Sequence, residues 1–139
     1  MAITPNVDES GQDAVFLKRV AGTMGATGVA MGAFGAHALK KTLDNRGTAA
    51  MWQTATIYQL FHATAILSLA TAASSSASVR DNDSSTSNRN LLAGKLMGIG
   101  NLLFSGSIYC LALGIGPKKV LGPITPIGGL LMIGGWAVV

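Results

Sequence analysis

Four stretches of the chain contain no Asp, Glu, Lys or Arg: Val20 to Leu39, Ala49 to Ala73, Leu96 to Gly116 and Val120 to Val139. Charged or strongly polar residues punctuate them. At about 1.5 Å per residue each stretch, as a helix, crosses or nearly crosses a hydrocarbon core about 30 Å thick. The pattern predicts an all-α membrane protein, a compact bundle of four transmembrane helices with both termini on one side. Residues 1–17 read as a polar N-terminal tail, unlike a secretory signal or an Arg-rich transit peptide because it holds Asp8, Glu9 and Asp13 and no Lys or Arg. Residues 18–139 then form the transmembrane domain. The stretch 74–90, rich in Ser, Asn and Asp and without apolar periodicity, reads as a disordered loop. It includes the glycosylation sequon Asn82-Asp83-Ser84, a match common by chance.

Small and polar residues are not scattered within the spans. In span one Gly22, Gly25, Gly28, Gly32 and Gly35 recur every three or four residues, so they share a helix face that admits a neighbouring backbone. Span three continues the theme with Gly94, Gly98, Asn101 and Ser105. Span two places Trp52, Ala55, Gln59 and His62 on one face, with Trp52 at the depth where an amphipathic ring favours the headgroup boundary. Gln59 and His62 face lipid only at a cost, so they are expected to turn inward, where bonds between helices are the ordinary outcome. Span four opens with LGPITPIGG, residues 121–129. Pro123 and Pro126 lack an N–H, and each disfavours helix in the residue before it, so an irregular lead-in at membrane depth is expected. A helix starting at Pro126 reaches only about 21 Å, and one starting at Pro123 about 25 Å.

Composition agrees with the pattern. Hydrophobic residues make up 49% and charged residues 12%, against about 25% charged in soluble domains. The 18 glycines suit close packing in a membrane better than a soluble helical core. A single cysteine, Cys110, allows no intrachain disulfide. The net charge of +4 is explained by loop cations beside a bilayer and implies no nucleic acid. Lys18, Arg19, Arg80, Arg89 and Lys95 lie on one side, and Lys40, Lys41, Arg46, Lys118 and Lys119 on the other, so the positive-inside rule ties. The second set sits on shorter, more densely basic loops, which tilts that side toward the cytosol or matrix.

The motifs GAFGAHALKK, WQTATIYQLFHATA, LLFSGSIY, LGPITPIGG and the late GGW, in this order from about Val20 onward, resemble the family catalogued as domain of unknown function 423, also called the transmembrane protein 256 family. The resemblance implies a small multi-pass membrane protein and leaves its activity open. Its polar motif positions fall on His37, Trp52, Gln53, Tyr58, His62, Ser105, Tyr109, Thr125 and Trp136.

Several functional classes were weighed against the residues. A serine hydrolase would need His62 as base to Ser105 or Ser107. A haem or metal centre on His37 and His62 fails on depth, the two lying at about 3 Å and about 20 Å from the side of the first and third loops. No span holds the carboxylate usual in ion coupling, which leaves transport of a neutral solute. The preferred reading is a non-enzymatic scaffold, assembly or accessory subunit with no cofactor, whose partners are the bilayer and possibly other membrane proteins or itself, in a mitochondrial inner or plasma membrane. Two local expectations accompany it. His37 is expected to sit at the interface and bond toward the irregular lead-in of span four. Gln59, at about 15 Å, is expected opposite Ser105, at about 16 Å, and His62, at about 20 Å, opposite Asn101, at about 22 Å.

Overall fold

A computed structural model describes residues 7–78 and 84–139. Five helices follow one another: α1 (Val7–Ala36), α2 (Lys40–Arg46), α3 (Ala49–Ser78), α4 (Ser84–Leu113) and α5 (Lys118–Val138). Among the described residues there is no strand. Two of the helical stretches, Ser85–Leu113 and Lys118–Val138, are long and apolar enough to cross a membrane. The four long helices run antiparallel in chain order. α3 packs between α1 and α4, α1 also meets α4, and the α5 backbone packs on α4, reaching α3 through side chains such as Trp136.

The N-terminal stretch departs from the expected polar tail. From Val7 onward it is the first part of α1. Ala14, Leu17 and Ala21 are buried against Ile66, Ala70, Ala73, Leu91 and Met97. Their spacing of three and four continues the inward stripe of the span, which the neighbouring charges disguise. Asp13 meets Lys95 of α4 in an ion pair, so even the charged flank is tied to the bundle.

The expected loop at 74–90 is also shorter than its composition suggests. α3 runs to Ser78 and α4 begins at Ser84; only residues 79–83, which include Asn82 and Asp83 of the sequon, lie outside the described residues. No Gly or Pro interrupts 74–90, and Ser74 Oγ and Ser75 Oγ bond back to the carbonyls of Ala70 and Thr71. Ser87 and Leu91 are buried, with Ser87 Oγ reaching Ala73 O across the hairpin.

The proline-containing segment is helical throughout, against the expected irregular lead-in. Pro117 stands before the first turn at φ −76° and ψ 114°, and α5 then continues through Pro123 and Pro126. Both prolines lie on the exposed face, where their rings meet no neighbouring helix. The opposite face is clamped against α4: a Cβ on Gly100 would stand 2.7 Å from Gly128 O, and one on Gly128 would stand 2.5 Å from Phe104 N. Gly135 likewise approaches Met97. Two missing helix bonds cost less in lipid than a segment of wholly unpaired backbone.

The five glycines expected along one face of span one divide into two groups in α1. Gly28 faces Leu60, Gly32 faces Thr56 and Gly35 faces the Trp52 indole, whereas Gly22 and Gly25 face open space. In α4, Gly94 accepts Leu17 and Gly98 lies in ordinary contact with Ile66 and Val20.

At one end of the bundle the short α2 buries Leu43 and pairs Lys40 with Asp44 at 2.8 Å. The Asp44 carboxylate, by hydrogen bond and by charge, holds the Lys40 ammonium protonated above its ordinary range. Arg46 Nε and Thr48 Oγ1 both donate to Ala112 O, at 2.9 Å each, and so cover the C-terminus of α4 with a donor pair and a positive charge. The chain leaves α4 through Gly114 at φ 71°, where a side chain would collide with the Arg46 guanidinium.

Candidate functional site

Two apolar clusters fill the bundle. One joins Leu17, Ile66, Leu91 and Met97; the other joins Leu43, Trp52, Ile108 and Tyr109. Between them lies a layer of polar side chains from α1, α3 and α4. Gln59 is its centre. Its amide nitrogen donates to Met24 O at 2.9 Å and to Thr27 Oγ1 at 2.8 Å on α1, and its amide oxygen accepts from the Tyr109 hydroxyl of α4 at 3.0 Å. Tyr109 shares its proton with Thr56 Oγ1 at 3.2 Å. Ser105 shares its own between Ala55 O at 3.0 Å and Asn101 Oδ1 at 2.6 Å. Asn101 Nδ2 faces Gln59 O at 3.5 Å. Among the described residues no buried side-chain nitrogen or oxygen lacks a partner.

The expected meeting of the second and third spans is present, because α3 and α4 pack along their lengths, but its pairs differ. Gln59 bonds Tyr109 and α1 rather than Ser105. Ser105, one turn away, is satisfied by a backbone carbonyl and by Asn101. Antiparallel packing aligns residues by lateral position as well as depth, and depth alone was used to match them. The layer opens into a cavity of about 360 Å³ between α1 and α4, lined by Thr27, Gln59, Asn101, Ser105 and Tyr109 among others.

His62 belongs to a different place. Its ring is buried at 4% exposure. Nδ1 bonds Tyr58 O at 2.9 Å, and Nε2 accepts the indole N–H of Trp136 in α5 at 3.3 Å. These partners assign the neutral tautomer with the proton on Nδ1. Asn101 is therefore not its partner, contrary to the depth match. Neither Ser105 nor Ser107 bonds His62; Ser107 Oγ meets Thr125 Oγ1 at 2.6 Å and so pins α5 to α4. Around the His62–Trp136 bond, α3 and α5 leave an open groove of about 500 Å³ floored by Phe104 and Met132.

The remaining motif positions are spread out. Trp52 is 4% exposed, donates to Met31 O at 2.8 Å and packs on Tyr109 with ring centroids 4.6 Å apart, so it is a core residue rather than a headgroup anchor. Gln53 is exposed. His37 is exposed too, and among the described residues its ring makes no hydrogen bond; its backbone N–H bonds Ala33 O. The expected bond toward span four fails because α1 and α5 do not touch, and because a continuous α5 offers no irregular carbonyls for it to satisfy. Cys110 is half-buried and free. Sequence reasoning missed Thr27, Thr56 and Arg46, although Thr56 stands one turn from Gln59 on the same face. It also missed Gly100, Gly128 and Gly135; the seven-residue interval of the last two was the available signal.

Comparison with known proteins adds what the geometry lacks. Residues 31–129 match the family model described as "Protein of unknown function (DUF423)". A UPF0382 membrane protein of Schizosaccharomyces pombe is 40% identical over 121 residues, covering 85% of this chain and 92% of the relative. The UPF0382 inner membrane protein YgdD of Escherichia coli is 42% identical over 111 residues, covering 78% and 74%. A UPF0382 membrane protein of Staphylococcus epidermidis is 40% identical over 110 residues, covering 79% and 80%. No solved structure matches the chain. The family model spans most of the polar layer, the α4–α5 contact and the proline segment, and the relatives extend across most of the helices: this chain belongs to the DUF423 family of membrane proteins.

Proposed function

We propose that the chain crosses the bilayer four times and works as a non-enzymatic membrane scaffold, an assembly or accessory subunit that acts through its helix faces. Charge supports the topology. Uncharged lengths of α1 (Val20–Ala36), α4 (Leu96–Leu113) and α5 (Val120–Val138) measure about 26, 27 and 29 Å, close to a hydrocarbon core of about 30 Å, and α3 is longer still. The hydroxyls that make α3 look polar are used within it: Thr54, Thr56, Thr64, Ser68 and Thr71 each bond the carbonyl four residues back. Large apolar side chains such as Phe34, Phe61, Ile99 and Leu130 point outward on every long helix, as lipid-facing residues do.

The observation that carries the scaffold reading is the completeness of the polar layer. Each buried polar side chain of the described residues is spent on holding helices together, which supports a structural use over a catalytic one. Purification in mild detergent followed by mass spectrometry tests it: a stoichiometric membrane-protein partner supports the scaffold, and a lone chain carrying a bound solute argues against it.

The cavity of about 360 Å³ beside Gln59 and Asn101 favours one second reading, passage or binding of a small neutral solute. For location, the Escherichia coli relative is an inner membrane protein by name; the corresponding reading here is a mitochondrial inner or plasma membrane.

A further inference from the structure

The groove between α3 and α5 differs from the polar layer in one respect. Its walls hold a polar group that nothing among the described residues satisfies. Tyr58 lines it, about 14 Å along α3 from Ala49. Its ring lies against Phe104 at 4.8 Å and His62 at 5.9 Å, and among the described residues its hydroxyl makes no hydrogen bond. With α3 in the bilayer no water reaches that depth, and an unpaired hydroxyl there is unfavourable.

The other walls narrow the chemistry of what would pair it. Phe61, Phe104, Trp136 and the His62 ring present aromatic surface, and ring faces favour a flat partner. No Asp, Glu, Lys or Arg lines the groove, so a charged headgroup would go unpaired. The Trp136 N–H and His62 Nε2 satisfy each other, so among the groove's side chains only the Tyr58 O–H has an unpaired proton; an occupant with an acceptor and no polar proton of its own leaves none unpaired. The rim is open, with Phe61 at 58% and Trp136 at 46% exposure, so entry is sideways from lipid. A volume of about 500 Å³ admits a single ring with the start of a tail. A plain acyl chain would leave Tyr58 unsatisfied.

We propose that this groove binds a neutral, lipid-soluble ring compound bearing a carbonyl, of the quinone type, with a ring carbonyl accepting from Tyr58. The site rests on the four-span topology and is independent of whether the chain is a scaffold.

The test is a titration of decyl-substituted benzoquinone into phosphatidylcholine nanodiscs holding the full chain as a Trp52→Phe variant, which leaves Trp136 as the sole tryptophan to excite. Should that variant not fold, the same titration on the unaltered chain is read as its difference from Trp136→Phe. Saturable quenching is expected. Tyr58→Phe should weaken it on the order of fivefold, the loss of one neutral hydrogen bond. Gly129→Leu should weaken it on the order of a hundredfold or abolish it by filling the groove; its Cβ meets Phe104 only at an ordinary 3.8 Å, and an unchanged midpoint of thermal unfolding shows that the bundle is intact. Decylbenzene, with the same tail and no carbonyl, should fail to displace the quinone. Quenching that never saturates, that is indifferent to both variants, or that decylbenzene reverses equally well overturns the site. Topology is judged separately by side-specific labelling, and the scaffold by its partner.

Discussion

Gln59 is the residue on which most of the polar layer converges, since it alone bonds both α1 and α4. Replacing it by Leu keeps the volume and deletes three hydrogen bonds. Each such bond contributes only about 0.6 kcal/mol in a membrane protein, because separated helices find other partners; the variant should lose about 2 kcal/mol, read as a lower midpoint of thermal unfolding in detergent. Tyr109→Phe should lose about half as much, because Gln59 keeps both bonds to α1. His37→Ala, by contrast, should leave the midpoint unchanged. That histidine invites chemistry in the sequence, yet it is exposed and its ring bonds nothing among the described residues.

At the scale of elements the α4–α5 contact decides the most. Gly100 and Gly128 bring two backbones together closely enough that a single methyl has nowhere to go: the neighbouring atoms are main chain and cannot rotate away. Gly100→Ala should therefore destabilise the bundle by about 1–3 kcal/mol, the range for overpacking. Gly134→Ala on α5, the helix that carries Gly128, meets open space and should be silent or slightly stabilising. A comparison of the two by thermal unfolding separates packing from helix propensity. Capping works at the other end of α4. Arg46→Ala leaves Thr48 still on Ala112 O, so a loss of about 1 kcal/mol is expected, most of it charge at the helix end.

For the whole molecule, the prediction is topological. In a Cys110→Ala background, single cysteines at 41 and 119 should label from one side of the membrane, and those at 9 and 89 from the other. Labelling of 9 and 41 from the same side would remove α1 from the bilayer and reduce the span count.

The run lengths of uncharged residues were enough to place four long helices, and the family motifs to place the chain among membrane proteins, because a hydrocarbon solvent imposes length and apolarity on every crossing segment. The same one-dimensional signals exposed Gln59, His62, Asn101 and Ser105 as inward, since a polar side chain within an apolar run has few other options. They misjudged the ends. Charge at Asp13 and serine content near residue 74 look like solvent-exposed chain, yet helices extend through both because Leu17 and Leu91 have a core to join. Which polar group meets which was decided only in three dimensions. Lateral placement of antiparallel helices gave Gln59 to Tyr109 and His62 to Trp136, and the close approach at Gly100 and Gly128 accompanies an α5 that stays helical through its prolines, by packing that no local propensity encodes.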